Sequence, residues 1–280
     1  MTRQIRIVHH TGYSYPDTVL GSHNEVRMTP LASREQWVMN SRIDIQPTPW
    51  VFSYADYWGT WVNAFEIREK HSRLGVTSTA TVEVTRQPDV APGVSWDELR
   101  DHQFTDKMTE MLTVSEHVDP GAELCGYAME VAKEAAPVAT VLAVTERIRE
   151  KVRYVPGATH VRTRARDVWE AGAGVCQDMV HVALGALRCV GIPARYVSGY
   201  LMPSANPAPG EPRKAESHAW LQYWDGAWVG LDPTNDSAPG EFHVEVGIGR
   251  DYSDVPPLRG VYSGGKASEM YVEVEMTVLD

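Results

Sequence analysis

The chain has 280 residues, 43% of them hydrophobic, and sets 26 Lys plus Arg against 37 Asp plus Glu for a formal charge of −11. That length supports a substantial core in one or two domains. An acidic balance with no basic run argues against nucleic acid or an anionic membrane surface as a partner, and no apolar run approaches membrane-spanning length.

The first residues, Met1 to Ile7, alternate polar and apolar side chains and offer no continuous apolar region, so no signal peptide is evident. Strand signals then run from Ile5 to about Val84. Ile5 and Ile7 alternate with their neighbours, Tyr13 with Tyr15, and 43–45, 51–54, 65–67 and 79–84 follow between Pro47, Pro49, Gly59 and Gly75. This predicts an N-terminal antiparallel β domain over residues 1–90. The segment Gln87 to Gly93, with two prolines, reads as a linker. A second domain is expected over 95–280.

Helical spacing appears at 121–135 and again at 138–152, where Val138, Leu142, Val144, Ile148 and Val152 recur, with Pro137 between the two. A short helix is expected at 167–171, and a longer one from Val175 to Val190 carries Val180, Ala183, Leu184 and Leu187 on one face. Gly191-Ile192-Pro193 stops it. Strands return at 194–201, 217–223, 227–232 and 270–278, and the Pro, Ala and Gly run at 202–212 is a loop.

The helix at 175–190 opens on Cys176 after the glycines Gly172 and Gly174. A cysteine in the first helical turn sits in the positive end of the macrodipole, among unpaired N–H groups, and both favour thiolate over thiol. The other cysteines, Cys125 and Cys189, lie within helical patterns and read as core residues. Three cysteines without a CxxC spacing form no closed disulfide set and suit a reducing cytoplasm.

A thiolate nucleophile needs a base, and the base needs an orienting acceptor. His218 opens a segment through Thr234 that reads as a hairpin about Asp225-Gly226. A loop of Trp224, Asp225 and Gly226, with Gly226 left-handed, pairs Ala219 with Leu231, Leu221 with Val229 and Tyr223 with Ala227 on an apolar face. The other face pairs His218 with Asp232, Trp220 with Gly230 and Gln222 with Trp228. Cys176 is then the candidate nucleophile, His218 the base and later acid, and Asp232 the orienter. The N–H of Cys176 is the first oxyanion donor, with Trp169 and Gln177 as candidates for the second. The face bearing His218, with Trp220, Gln222 and Trp228, has the mixed character of a substrate groove.

Gly174-Val175-Cys176-Gln177-Asp178, Ser217-His218-Ala219-Trp220 and Leu231-Asp232-Pro233-Thr234-Asn235 resemble the three signature blocks of the transglutaminase-like superfamily of papain-type thiol enzymes, in its bacterial branch. The resemblance extends along nearly the whole chain. His10 to Tyr15, Asn24 to Arg27 and Asp56 to Gly59 resemble that branch's N-terminal β domain, and Gly249 to Pro257 its C-terminal block. Met179-Val180 stand where Phe-Ala is usual, and Trp169 where an aliphatic residue is usual. The resemblance implies an α+β fold: an N-terminal antiparallel β domain, then a papain-like core in which a helix carrying Cys packs on an antiparallel sheet carrying His and Asp.

His181, on the same helix as Cys176, suggests a metal set with Cys176 and His218. No fourth ligand is spaced for zinc, however, and metal on Cys176 would remove its nucleophilicity, so neither a metal nor a cofactor is expected. His243 and Arg250-Asp251-Tyr252 are candidates for the cleft or for a structural ion pair and turn. The activity expected is amide chemistry on a peptide or protein substrate through a thioester. Water as acceptor makes a peptidase or amidase, the favoured outcome, and an amine makes a transglutaminase. A peptide-binding module is the alternative from another class, and it has no need of a polarised thiol.

Overall fold

The computed structural model describes residues 2–86, 92–203, 207–265 and 269–280. Six strands come first: β1 (Arg3–Val19), β2 (Gly21–Val26), β3 (Gln36–Gln46), β4 (Val51–Ala55), β5 (Trp61–Ile67) and β6 (His71–Val84). Most of the expected linker, residues 87–91, lies outside the described residues, as do 204–206 of the expected loop. Helices follow: α1 (Trp96–Leu99), α2 (His102–Lys107), α3 (Thr109–Leu112), α4 (Ala122–Glu134) and α5 (Pro137–Lys151). After β7 (Arg153–Tyr154) come α6 (Ala165–Ala171), β8 (Ala173–Gly174) and α7 (Cys176–Cys189). The chain finishes with β9 (Ala194–Leu201), β10 (Arg213–Trp224), β11 (Trp228–Leu231), β12 (His243–Gly249), a short 3-10 helix (Tyr252–Asp254), β13 (Leu258–Ser263) and β14 (Glu269–Val278). No helix among the described residues is long and apolar enough to cross a membrane.

The fold is α+β with mainly antiparallel sheets, and one sheet spans the chain in the order β12-β9-β10-β14-β1-β6-β3, with β11 beside β10. Alternation explains its strands. Leu74, Val76, Ser78, Ala80, Val82 and Val84 of β6 are buried in turn. Val82 and Val84 pack with Ile5 and Ile7 of β1 and with Val274, Met276 and Val278 of β14, and Leu74 and Val76 with Tyr15 and Val19 of β1 and Ile45 of β3. The C-terminal β14 therefore sits between β10 and β1, pairing with both. A second sheet runs β13-β2-β5-β4. Residues after 257 thus lie on the N-terminal strands, so a boundary at 90–95 divides the chain but not the sheet.

Pro137 is the first residue of α5, where a missing N–H costs nothing and the fixed φ suits the helix. Helix α7 is buried on nearly every side: Val180, Leu184 and Leu187 pack with Leu124, Val141, Val144 and Ile148 of α4 and α5 and with Ala219, Leu221 and Tyr223 of β10. Each such leucine contributes about 2 kcal/mol. Gly185 admits the backbone of Val118, whose carbonyl oxygen would lie 1.7 Å from a Cβ there. At the far end Gly191 takes φ +83° as expected.

Two expectations are corrected. Cys125 and Cys189 are not free core thiols: they form a disulfide between α4 and the end of α7, with Cα atoms 5.7 Å apart, and Cys176 is left as the free cysteine. The hairpin keeps a three-residue loop, but that loop is Asp225-Gly226-Ala227, with Gly226 at φ +80°. Leu221 therefore faces Leu231, and Trp224 faces Trp228. The Trp224 and Trp228 rings close the hairpin edge to face at 5.5 Å, and Asp225 Oδ1 accepts the Val94 N–H at 2.9 Å. A shift of two residues preserves the faces, so His218 and Asp232 stay on one side as diagonal rather than direct neighbours.

Candidate active site

Cys176 is the first residue of α7 and is partly exposed. The turn before it is held by Asp178, whose Oδ2 accepts the Val175 N–H at 2.8 Å and the Thr159 hydroxyl at 2.5 Å. Burial, opposed by these donors, pushes the Asp178 carboxyl above its ordinary value. Cys176 opens into a cleft of about 470 Å³ that it shares with His218, Gln177, Tyr154, Tyr196 and Tyr252. A larger concavity, about 980 Å³, lies on the second sheet beside Trp50, Phe52 and Arg259 and contains neither Cys176 nor His218.

Asp232 follows β11 and is fully buried. It accepts from five donors. His218 Nε2 lies 2.6 Å, Asn235 Nδ2 2.7 Å and His243 Nε2 3.4 Å from Oδ2. The N–H groups of Thr234 and Asn235 lie 2.9 and 3.2 Å from Oδ1. Burial alone would raise this carboxyl, but the donors, His218 first, hold it well below the usual carboxylate range. An ionised Asp232 can only accept, which places a proton on His218 Nε2. Burial pulls the His218 ring down, yet the hydrogen bonds to Asp232 and to Cys176, with the charges of both, push it up to about 9. His243 is fixed as well: its Nδ1 accepts the Gly240 N–H at 3.0 Å, so its Nε2 proton points at Asp232. Burial chiefly lowers the His243 value.

The structure thus brings Cys176, His218 and Asp232 together and leaves other expectations apart. Trp169 is buried in the helical core, with the Lys151 ammonium 4.1 Å from its ring centroid, and does not line the cleft. Gln177 does line it. The hairpin face with Trp220, Gln222 and Trp228 is not the groove. Trp220 is buried edge-on to His243 at 5.2 Å, Gln222 accepts from Arg195 Nε at 2.7 Å, and the Arg195 guanidinium sits 4.1 Å from the centre of the Trp228 ring. His181 is buried, accepts the Tyr252 N–H at 3.1 Å, and is not gathered with Cys176 and His218. In the Arg250-Asp251-Tyr252 block, Arg250 pairs with Asp254 at 2.9 Å, Asp251 accepts from Ser115 at 2.8 Å, and Tyr252 lines the cleft.

Among the described residues, one group of three metal-capable side chains converges: His218, Asp232 and His243. Their geometry is that of hydrogen bonds, since both Nε2 atoms meet the same carboxylate oxygen at 2.6 and 3.4 Å. Sequence reasoning missed Asn235 as a support of Asp232 and Asp178 as the clamp before Cys176. The signal for Asp178 was present, an acidic residue at the third position of a helix.

Residues 5–83 match the family described as the bacterial transglutaminase-like N-terminal region, and residues 126–233 match the transglutaminase-like superfamily. The chain is 39% identical to an uncharacterized protein of Mycobacterium leprae over 99% of both chains. It is 33% identical to a protein-glutamine gamma-glutamyltransferase of Pseudomonas aeruginosa over 38% of this chain and 17% of that one. Among solved structures it resembles one named "putative cysteine protease" from Cytophaga hutchinsonii, with a TM-score of 0.78, 22% identity, and coverage of 100% of this chain and 92% of that chain.

Proposed function

The chain belongs to the transglutaminase-like superfamily and carries its bacterial N-terminal region, and from that premise we propose a cysteine-dependent amide-bond enzyme that acts on peptides or proteins through a thioester on Cys176. The observation that carries this reading is a partly exposed cysteine at a helix start, sharing a cleft with a histidine whose far nitrogen lies 2.6 Å from a buried aspartate.

The Cys176 thiolate attacks the amide carbonyl carbon. The C–S bond forms, and the carbonyl π pair moves to oxygen beside the Cys176 N–H. The adduct collapses as the His218 imidazolium gives its proton to the leaving nitrogen, and the C–N bond breaks. His218, now neutral and held by Asp232, takes a proton from water as that water attacks the thioester. Loss of sulfur from the second adduct restores thiolate and imidazolium. We favour water over an amine as acceptor because it is always present, and the fold shared with the Cytophaga hutchinsonii protein suits it. The match to the gamma-glutamyltransferase supports amine transfer as the second reading. The Cys125–Cys189 bond favours an oxidising compartment over the cytoplasm expected from unpaired cysteines.

Mass spectrometry of a peptide mixture, incubated with and without an added primary amine, separates cleavage, deamidation and cross-linking. Cleavage or deamidation is expected, lost in Cys176→Ala. Equal products from the wild type and that variant, or a Cys176 alkylated by iodoacetamide at pH 6 no faster than free cysteine, would replace the enzyme with a peptide-binding module.

A further inference from the structure

Pairing between β10 and β14 covers only Arg213 to Ala215 against Met276 to Val274. On the edge of β10 away from β9, strand partners among the described residues return only at Leu221, opposite Leu231 at the end of β11. On β14, residues 269–273 pair with β1 on one side and, among the described residues, with no strand on the other. The two strands therefore splay, leaving two strand edges without a partner strand among the described residues, and the Cys176 cleft is lined from both: Glu216, Ser217 and His218 from β10, Met270, Val272 and Glu273 from β14.

Beside the exposed charges of Lys214, Glu216 and Glu273, the walls of this split present apolar side chains to solvent. The row Met270, Val272, Val274 begins exposed (56%), stays exposed at Val272 (48%) and ends buried at Val274 (1%). Tyr154 and Val161, which line the same cleft from outside β10 and β14, are 48% and 50% exposed. An apolar row that continues a core row into solvent beside a nucleophile is a surface awaiting a ligand.

We propose that the substrate enters as an extended peptide segment laid into the split between β10 and β14, with apolar side chains seated between Met270 and Val272 on one wall and Tyr154 and Val161 on the other. Its backbone pairs with the open strand edges, and this assigns the β14 lip, built on β1 of the N-terminal β region, the role of a specificity wall. A folded chain, whose backbone groups are already paired, is excluded. This reading rests on the thiol chemistry proposed for Cys176, and the test keeps the two apart.

Peptidyl chloromethyl ketones report on the cleft without turnover, because Sγ displaces chloride at the methylene carbon, forming C–S as C–Cl breaks and chloride leaves. Second-order rates are measured for a Leu-Phe and an Asp-Asp reagent, with iodoacetamide as the control. The wild type is expected to favour the apolar reagent at least about tenfold, as apolar pockets discriminate. Val272→Lys and Met270→Lys, both at exposed positions, reduce that preference while iodoacetamide rates stay within about twofold. Methylating the amide nitrogens of one alternate set in the apolar reagent removes donors to the strand edge and slows it by about tenfold. Slow iodoacetamide reaction with the wild type would count against the thiolate reading. Fast iodoacetamide reaction with equal rates for both reagents, a preference untouched by Val272→Lys, or indifference to methylation in either frame, would overturn the wall.

Discussion

Helix α7 carries a cysteine at each end, and the two ends are opposites. At the start, Cys176 is partly exposed, faces His218 and opens into the cleft. At the finish, Cys189 is bonded to Cys125 of α4. Beside it the buried Arg188 donates to the carbonyls of Thr113 at 3.0 Å, Ala194 at 2.8 Å and Arg250 at 2.6 Å. Burial, partly offset by Asp251, brings that guanidinium down to about 10, so it remains cationic at the negative end of the helix. Residue type and helix are the same, and the partner decides the fate: an imidazole keeps one sulfur open to chemistry, while a second thiol spends the other on an anchor. The anchored end fixes α7 against α4, β9 and the segments at Thr113 and Arg250, and the open end inherits a defined position.

The largest break in that contrast is Asp232→Asn, which removes the charge that sets His218 and replaces one acceptor oxygen with a donor. Turnover is expected to fall by about three to four orders of magnitude, the loss seen when a buried aspartate behind a catalytic histidine becomes an amide. Steady-state kinetics on the peptide identified by mass spectrometry measures it, and a loss under tenfold would remove Asp232 from its role. The pH profile carries the same contrast. With His218 raised to about 9, its stabilisation is full below pH 6.5 and is lost as pH rises through 9. Amide turnover, which needs the proton, should fall above about pH 9, while alkylation by iodoacetamide, which needs only thiolate, should not. In Asp232→Asn the fall should move toward pH 6.5.

At the other end, breaking the Cys125–Cys189 bond is expected to cost about 4 kcal/mol, from the loop closed over a sequence separation of 64. Urea unfolding of the double serine variant reads this, with turnover at 25 °C changed less than about twofold. A thiol titration of the unreduced, unfolded protein should find one thiol, and three would remove the anchor from the comparison. A large drop in turnover at intact stability would instead show that the far end of α7 positions Cys176 directly.

Much of this was legible in the chain because local signals and tertiary packing agreed. Proline at the start of α5, glycine at φ +83° after α7, and the alternation at 79–84 in β6 each specify an element by one physical cause. His218 and Asp232 could be placed on one side because hairpin faces depend only on parity, which survived a register wrong by two residues. The exact register did not follow, because it is fixed by the packing of Trp224 on Trp228 and the tie from Asp225 to Val94. Strand β2 escaped notice because Gly21, Ser22, His23, Asn24 and Glu25 show no apolar alternation. Ser22 and Asn24 are buried in a sheet formed with the distant strands β5 and β13, where Asn24 Nδ2 donates to Ser22 Oγ at 2.9 Å. The disulfide escaped for a related reason, since its two cysteines meet only when α4 packs on α7.

The smallest test sharpens the open end alone. Asp178 clamps the turn before Cys176 by accepting the Val175 N–H and the Thr159 hydroxyl. Burial pushes its carboxyl upward and so disfavours the charge, whereas both contacts require only an acceptor. Asp178→Asn keeps an acceptor and should change stability by less than about 1 kcal/mol. Asp178→Ala leaves a part-buried N–H and a hydroxyl without it and should cost about 1 to 2 kcal/mol, the range of a lost helix cap. Thermal unfolding separates the two, and equal losses would mean that charge, not acceptance, holds the turn. If the clamp also places Sγ, Asp178→Ala slows alkylation of Cys176 while leaving the disulfide end unchanged, so positional control of the nucleophile would be local to the first turn of α7.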